Sequence, residues 1–276
     1  MSKQDFVVGS SSAIEFFEWM DERHRIWIRR DRNDPAPWTD DPILRDRKFT
    51  NVFRELDRGT LALRTMTEAY QEECAGDLLF NIAWYRMFNR AEHATDIGWC
   101  DNHSTLKREV TRKYASGKKL FTSAHMHYGT AMSTLRSLKR LFDDRHGFAQ
   151  LLMTKGSIEF WTKALQEYEG IGRFIAYEIA TDLRHYFHCR DSMSWASVGP
   201  GSARGLARLG LEQTNRSMQD LLTATEVWAV TTNSVLRKHF TSVWPPFEMR
   251  EIEHSLCEFD KYARGGGKEL FDWQSR

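Results

Sequence analysis

The sequence predicts an all-α protein. Apolar residues recur three and four positions apart along most of the chain, which is the spacing of helices that bury one face. No long stretch alternates apolar and polar residues as a half-buried strand does, and the alternative is a small sheet near residues 117–128. A Gly-Ile-Gly sequence at 170–172 stands between two helical stretches, which indicates a tight reversal of the chain.

The helices can be placed in order from their caps and spacing. The first is predicted over 12–30, with Ser12 as its N-cap. Asp41 precedes Pro42 as an N-cap precedes proline at the first helical position, so the next helical stretch should run from 42 to about 66. Further helical stretches are predicted at 77–92, 104–115, 130–145, 148–168, 215–240 and 248–263. With no internal repeat or low-complexity linker, we expect a single helical domain over 1–276 with a flexible tail at 264–276.

The segment from about 163 to 188 is predicted to form two helices joined by a hairpin. Ile171 would plug into the core between two glycines, and the second helix would begin at Arg173 with free N–H groups. Those donors and the positive end of the helix suit a phosphate oxygen. Gly170, Ile171, Gly172 and Arg173 are therefore candidate DNA contacts, and the alternative is an ordinary tight turn.

The composition is that of a globular protein without a global attraction to polyanions. The formal net charge is +1, and 41% of the residues are hydrophobic. The 39 basic residues are mostly arginine, which suits bidentate phosphate contacts, so an anionic ligand would meet a local arginine cluster. The 4 Cys form no Cys-x-x-Cys, and there is no membrane-length apolar run or signal-peptide core, so we expect reduced thiols, no membrane partner and a cytoplasmic location.

Four groups of residues together carry a family resemblance across residues 22–262. They are ERHRIWIRR (22–30) with PWTDDPIL (37–44); NVFRELDR (51–58); GIGRF (170–174) with DLR (182–184), GPG (199–201) and RGL (204–206); and EHSLCEFDKY (253–262). Together they resemble the α-glutamyl/putrescinyl-thymine pyrophosphorylase family, also called amino acid:DNA transferases, and the related helical domain of 5-hydroxymethyluracil DNA kinases.

The resemblance implies a helix-hairpin-helix DNA-glycosylase-like fold and a role in bacteriophage thymidine hypermodification. In that pathway a kinase phosphorylates 5-hydroxymethyluracil in double-stranded DNA, and an amine then displaces the phosphate or diphosphate. The amine is an amino acid such as glycine, or a polyamine. No Gly-x4-Gly-Lys-Ser/Thr sequence is present, which favours the transferase over the kinase. Two alternatives are a DNA N-glycosylase and a non-catalytic DNA-binding companion of the kinase.

Such a displacement needs positive charge around the leaving group. Arginine side chains, backbone donors of a glycine loop, or a divalent cation such as Mg²⁺ could supply it. The candidate phosphate and substrate contacts are Arg23, Arg29, Arg30, Arg54, Arg204, Gly199 and Gly201. The alternative is a set of solvated helix charges and a structural turn, and no metal ligands are assigned.

The amine must lose a proton to a nearby base. Asp182 is the first candidate, because it lies on an otherwise apolar helix face where burial would raise its pKa. Asp191 and Glu55 are the others, although caps or ion pairs would explain any of the three; Arg184 and Arg190 are the expected partners of the aspartates. Trp38 or Trp195 would stack on the base if it is flipped out of the duplex.

Overall fold

The computed structural model describes residues 10–70, 74–122, 129–241, 243–267 and 270. Over these residues the protein is helical and contains no strand, so the all-α fold class is confirmed. In chain order the helices are α1 (Ser11–Asp31), α2 (Pro42–Asp46), α3 (Arg58–Glu68), α4 (Ala75–Phe88), α5 (His93–Asp96), α6 (His103–Ala115), α7 (Ala131–Lys155), α8 (Ile158–Leu165), α9 (Arg173–Leu183), α10 (Pro200–Arg208), α11 (Asn215–Thr231) and α12 (Met249–Ala263), with 3₁₀ turns at Arg54–Leu56 and Val235–Phe240.

The chain divides into two compact units. Unit 1 comprises Met1–Asp57 and Ser192–Arg276, and unit 2 comprises Arg58–Asp191. Folding as a single domain stays a prediction, as does the helix-hairpin-helix glycosylase-like arrangement of the helices. No helix among the described residues is long and apolar enough to cross a membrane. The alternative of a small sheet near 117–128 finds no strand at 117–122, and 123–128 lie outside the described residues. Of the tail predicted at 264–276, only 264–267 and 270 are described, and its flexibility stays a prediction.

Unit 1 is assembled around aromatic side chains of its first and last helices. Phe16 of α1 meets Phe259 of α12 edge to face at 5.3 Å between ring centroids, and Phe17 of α1 lies 5.7 Å from Trp228 of α11. Burying one such side chain contributes about 1.5–3 kcal/mol to folding. These aromatic contacts hold together α1, α11 and α12 of unit 1.

Unit 2 is built on α4, which is buried around most of its circumference. Phe80, Trp84 and Phe88 of this helix are all fully buried. Phe80 meets Phe142 of α7 edge to face at 4.9 Å. A helix that is apolar on all sides needs neighbours on all sides, and α7 and α9 both pack against α4. The core of unit 2 thereby fixes the start of α9, where the predicted hairpin lies.

The predicted helix over 42–66 is wrong in its middle. Asp41 caps α2 as expected, because its Oδ1 accepts the N–H groups of Ile43 and Leu44 at 2.8 and 2.9 Å. The helix ends at Asp46, and α3 starts only at Arg58. In the segment between them, the carbonyl groups of Phe49 and Thr50 accept hydrogen bonds from Arg23 of α1 instead of from a helical ladder.

Two other boundaries differ for local reasons. The stretches predicted at 130–145 and 148–168 form α7, which continues to Lys155, and the shorter α8. Gly156, at φ 53°, ends α7 in the left-handed conformation that glycine favours. The stretch predicted at 215–240 is likewise broken after Thr231, where Asn233 takes a φ of 58°. The first helix is capped by Ser10 rather than Ser12.

Candidate functional site

A cleft in unit 1 brings together three residues that the sequence singled out. We call it the Trp38 cleft, and its lining is Arg23, Ile26, Arg30, Trp38, Thr39, Leu44, Arg47 and Phe49. The Arg30 guanidinium carbon lies 5.4 Å from the centroid of the Trp38 ring. Guanidinium groups beside an indole ring offer both phosphate contacts and a stacking surface for a base. The cleft therefore joins cationic groups to an aromatic face, and binding of a base or a phosphate there stays a prediction.

Two arginines position the walls of this cleft. Arg23 is buried and donates from Nε to the Thr50 carbonyl at 2.9 Å and from Nη2 to Asn51 Oδ1 at 2.9 Å. Arg29 donates to Glu22 at 2.9 Å and also to the carbonyl of Trp38. Trp38 is held further by a hydrogen bond of 2.7 Å from its Nε1 to the Asp34 carbonyl. Arg23 and Arg29 thus order the polypeptide around the cleft, which leaves Arg30 and Arg47 as its half-buried cations.

A polar cluster adjoins the cleft through Thr50. The Thr50 hydroxyl lies 2.5 Å from His254 Nε2, and its N–H donates to Glu258 Oε2 at 3.0 Å. Burial, reinforced by the charges of Arg54 and Arg250, holds the pKa of His254 well below 6.5. His254 is therefore a neutral imidazole at pH 7, a form that can accept a proton.

Arg54 belongs to the same cluster. Its Nε lies 3.8 Å from Asp57 Oδ2, and Asp57 Oδ1 accepts the N–H of Asn51 at 3.0 Å. Burial raises the pKa of Asp57, and the positive charge of Arg54 offsets part of that rise. The segment of residues 49–57 consequently places Arg54 beside the polar cluster and Phe49 in the cleft wall.

Glu55 occupies the interior of unit 1. It is fully buried, and its Oε1 lies 2.6 Å from Arg250 Nη2. Arg250 also lies 3.2 Å from Glu251, so the carboxylates of α12 and of the 3₁₀ turn share one cation. The ion-pair alternative for Glu55 is therefore realised with Arg250, and a catalytic role for Glu55 stays a prediction.

Asp182, the first candidate base, is 2% exposed in unit 2. Its two oxygens accept hydrogen bonds from Nε and Nη2 of Arg86, the second at 2.9 Å. Arg86 Nη2 also donates a hydrogen bond to Thr60 Oγ1 at 2.9 Å. Burial by itself would lower the pKa of Arg86, but the adjacent carboxylate raises it above its ordinary value. The ion-pair alternative for Asp182 is therefore realised with Arg86 rather than with Arg184 or Arg190.

Asp191 holds the start of α8. Its Oδ1 accepts the Ile158 N–H at 2.7 Å, and its Oδ2 accepts the Ser157 hydroxyl at 2.7 Å. Burial raises the pKa of Asp191, but these hydrogen bonds and that from Cys189 outweigh it and keep the pKa below 3.8. A carboxylate at a helix N-terminus is stabilising, and this engagement accounts for the residue without any chemistry. Its catalytic role stays a prediction.

The predicted hairpin turn has the expected local geometry. Ile171 is 2% exposed, and Gly170 takes a φ of 84°, where an added Cβ would lie 2.6 Å from Ser137 Oγ. Gly172 precedes α9 as its N-cap with no atom within 4 Å of an added Cβ, and Arg173 is exposed. The backbone at Gly172 is therefore open to approach by a ligand. DNA binding by these four residues stays a prediction.

The remaining candidates lie at α10 and before it. The Gly199 N–H already donates to Ser202 Oγ at 3.0 Å, so this donor is engaged. Gly201 allows α10 to pack against α12, because an added Cβ would overlap Cys257 Sγ. Arg204 is more than half exposed and bonds Asp260 at 2.8 Å. Trp195 is half-buried in the segment before α10. Among the described residues, no group of three or more His, Cys, Asp and Glu side chains could hold a metal ion, and use of Mg²⁺ stays a prediction.

The structure adds residues that the sequence interpretation missed. Arg47 joins the Trp38 cleft, His254 adjoins it through Thr50, and Arg208 accompanies Arg204 on Asp260. Arg208 could have been found from the sequence, because it lies four residues after Arg204 and residues four apart on a helix share a face. The contacts of Arg47 and His254 depend on packing between distant segments, which no local spacing reports.

The comparisons identify the family. A family model for the helical domain of 5-hmdU DNA kinases matches residues 10–270. A 5-hmdU DNA kinase of Bacillus phage SP10 is 26% identical over 307 aligned residues, which cover 98% of this chain and 48% of that protein. The chain thus spans about half the length of the curated relative that it matches, and no solved structure matches it. The resemblance to the kinase helical domain is confirmed: the chain belongs to the family of 5-hmdU DNA kinase helical domains.

Proposed function

We propose that this chain acts on phage DNA that carries 5-hydroxymethyluracil, and that it replaces the phosphate or diphosphate of the phosphorylated base with an amine. The observation that carries the proposal is the Trp38 cleft, in which an indole ring lies beside Arg30 and Arg47. A pyrimidine would stack on the ring while the guanidinium groups bind the phosphoryl oxygens. The family relationship supports 5-hydroxymethyluracil as the base.

The reaction is a substitution at the 5-methylene carbon. The amine nitrogen forms a bond to that carbon, and the bond from the carbon to the phosphate oxygen breaks, with its electron pair leaving on the oxygen. Arg30 and Arg47 stabilise the charge that develops on the leaving group. The amine proton passes to a base, and the neutral imidazole of His254, which contacts the Thr50 hydroxyl beside the cleft wall, is the proposed acceptor. A divalent ion such as Mg²⁺ would share the charge if the reaction uses one.

In this proposal the chain acts after a 5-hydroxymethyluracil DNA kinase in the host cytoplasm. Its partners are double-stranded DNA with the phosphorylated base and an amino acid or polyamine. Free glycine would need a cation for its carboxylate in addition to those on the phosphate, whereas a polyamine would need acidic groups, and the cleft lining contains arginines and no carboxylate. The chemistry of the lining therefore favours the amino acid.

A second candidate is a non-catalytic DNA-binding companion of a kinase. The observation that favours it is the length of the match, because the chain aligns with about half of the phage SP10 kinase. In this case the Trp38 cleft would present the base to a catalytic domain on another chain. No observation favours the N-glycosylase, since Asp182 is paired with Arg86 and Asp191 holds the start of α8.

One assay separates these functions. The chain is incubated with duplex DNA containing phosphorylated 5-hydroxymethyluracil and with glycine or putrescine, and the DNA is digested to nucleosides for mass analysis. The transferase predicts a new aminomethyl nucleoside that Trp38→Ala lowers and Trp38→Phe largely retains. Released free base would support the glycosylase, and unchanged DNA with measurable binding would support the companion.

A further inference from the structure

Three arginines of unit 1 converge on one buried carboxylate. Asp260 of α12 is 1% exposed. Arg204 and Arg208 of α10 each approach it through Nε, at 2.8 and 2.7 Å, and Arg264 approaches it through Nη2 at 3.1 Å. We call these four residues the Asp260 arginine cluster. It joins two helices that pack closely, because an added Cβ at Gly205 would overlap the backbone carbonyl of Leu256.

The cluster carries excess positive charge at an accessible surface. Burial raises the pKa of Asp260, but the hydrogen bonds from Arg208 and Arg204 and the charge of Arg264 outweigh it and keep the pKa below 3.8. The carboxylate is thus ionised at neutral pH and balances only one of the three guanidinium groups. The side chains of Arg204, Arg208 and Arg264 are 56%, 38% and 53% exposed.

The bonds to Asp260 orient the arginines without using up their donors. A guanidinium group has five N–H donors, and Arg204 and Arg208 give only the Nε donor to Asp260. Within the part of the chain that the structure describes, their terminal nitrogens have no hydrogen-bond acceptor. Two forked donor groups are therefore held in place with their outer edges available, which is the arrangement that binds phosphate oxygens bidentately.

Stability does not account for this arrangement. The buried carboxylate needs one cation as a partner, and three exceed that need. Like charges four residues apart on a helix, as Arg204 and Arg208 are, repel each other. A phosphate would relieve that repulsion. An ordinary surface pair of the same unit looks different: Arg216 of α11 bonds Asp220 one turn away at 3.2 Å, one cation to one anion.

The cluster neighbours the Trp38 cleft along the chain. Arg264 is followed two residues later by Gly266, and two residues span at most about 7 Å. The Cα of Gly266 lies against Arg47, since an added Cβ would be 2.5 Å from Arg47 Cγ. Arg47 lines the cleft. A DNA strand whose base entered the cleft would therefore pass its backbone close to the cluster.

We infer that the Asp260 arginine cluster binds phosphodiester groups of the DNA backbone next to the Trp38 cleft, independently of base modification. The inference rests on the proposed function and adds the residues that hold the backbone. Each neutralised phosphate steepens the dependence of log affinity on log salt by about 0.9 for duplex DNA. Arg204 and Arg208 would together account for a slope difference of about 1.8 if each contacts one phosphate.

The test is binding of an unmodified duplex by fluorescence anisotropy between 50 and 200 mM NaCl. It compares the unaltered chain, the variant Arg204→Gln/Arg208→Gln and the matched control Arg216→Gln. Raising the salt from the lower to the higher concentration weakens binding by both proteins. The factor by which the unaltered chain loses affinity should be about ten times the factor for the double variant, as a slope difference of about 1.8 requires. Arg216→Gln should behave as the unaltered chain does, and circular dichroism establishes that both variants are folded.

Inorganic phosphate as a competitor distinguishes a backbone site from a site for a free phosphate. Equal salt slopes for the unaltered chain and the folded double variant would overturn the inference. This holds even if the double variant is less sensitive to inorganic phosphate, because the cluster would then be a site for free phosphate. Failure of the unaltered chain to bind the duplex would also overturn it. A lowered slope in the double variant, with no aminomethyl nucleoside formed by the unaltered chain, would support the cluster and refute the transferase.

Discussion

The two units use their charged residues differently. In unit 2, Asp182 and Arg86 are both almost completely buried and neutralise each other, and Asp191 is occupied by the start of α8. In unit 1, besides the buried pair of Glu55 and Arg250, three arginines that reach the surface meet the single carboxylate of Asp260, and Arg30 and Arg47 are half-buried in the Trp38 cleft. Buried charges must be paired to be tolerated, whereas accessible excess charge serves ligands. We therefore propose unit 1 as the carrier of the chemistry.

The largest expected effect is the loss of stability when the buried ion pair of unit 2 is disrupted. Asp182→Ala leaves the Arg86 charge buried without its partner, which should cost about 3–5 kcal/mol of unfolding free energy in urea. Replacing both residues, as Arg86→Met/Asp182→Leu, should recover most of that loss. If Asp182→Ala left stability unchanged and abolished product, the aspartate would be catalytic and the comparison would be wrong.

Lowering the pH should destabilise unit 1, because a buried pair of histidines takes up protons on unfolding. His24 Nε2 lies 3.2 Å from His239 Nε2, and His239 Nδ1 donates to the Pro245 carbonyl at 2.7 Å. Burial and, for His24, the charge of His239 lower the pKa of His24 to about 3; burial lowers the pKa of His239 to about 4. Both residues fold in the neutral form, so their stability contribution is fully present above pH 6.5 and is lost as pH falls toward 4 and 3.

The expected loss is about 1.4 kcal/mol per pH unit for each histidine inside that window. Urea unfolding at pH 7, 6 and 5 measures it. The variant His24→Gln/His239→Gln should show a flatter dependence, because the groups that take up protons on unfolding are gone. An identical pH slope in the variant would show that other groups cause the acid sensitivity.

The close packing of α10 on α12 gives a smaller effect. Gly205→Ala puts a methyl group into the backbone carbonyl of Leu256, so a helix must shift, and overpacking of this kind costs about 1–3 kcal/mol. Gly147→Ala in α7 is the matched control, since nothing lies within 4 Å of an added Cβ there. It should stabilise by about 0.5–1 kcal/mol. Equal effects of the two changes in urea unfolding would refute the packing argument.

Binding of the modified base should show an effect of similar size. Trp38→Ala should weaken binding of DNA with phosphorylated 5-hydroxymethyluracil by about 1–3 kcal/mol, the contribution of one stacked base. Trp38→Phe keeps an aromatic face and should lose less. Anisotropy with modified and unmodified duplexes measures both. Equal binding by Trp38→Ala and the unaltered chain would show that Trp38 does not stack on the base.

Local features of the fold could be predicted from the sequence, and tertiary ones could not. Asp41 caps α2 and Ile171 is buried as expected, because a cap and a glycine-flanked turn depend on residues within a few positions. The break after Asp46 escaped prediction because Arg23, more than 20 residues away, supplies the hydrogen bonds that keep the backbone extended.

The candidate site shows the same division. Arg23, Arg30 and Trp38 were expected from residue type and now line one cleft. Arg47, His254 and Arg264 were not expected, because their partners lie on other segments of unit 1. For Asp182, a base and an ion-pair partner were both open from residue type. The identity of the partner, Arg86, depends on the packing of α4 against α9.

Product formation by two variants tests the central claim, that unit 1 carries the substrate site, most directly. Trp38→Ala and Asp182→Asn are assayed for the aminomethyl nucleoside at equal concentrations of folded protein. The account predicts that Trp38→Ala loses about 5- to 150-fold in activity, the equivalent of 1–3 kcal/mol, while Asp182→Asn stays close to the unaltered chain. Loss of product in folded Asp182→Asn together with full activity of Trp38→Ala would contradict it.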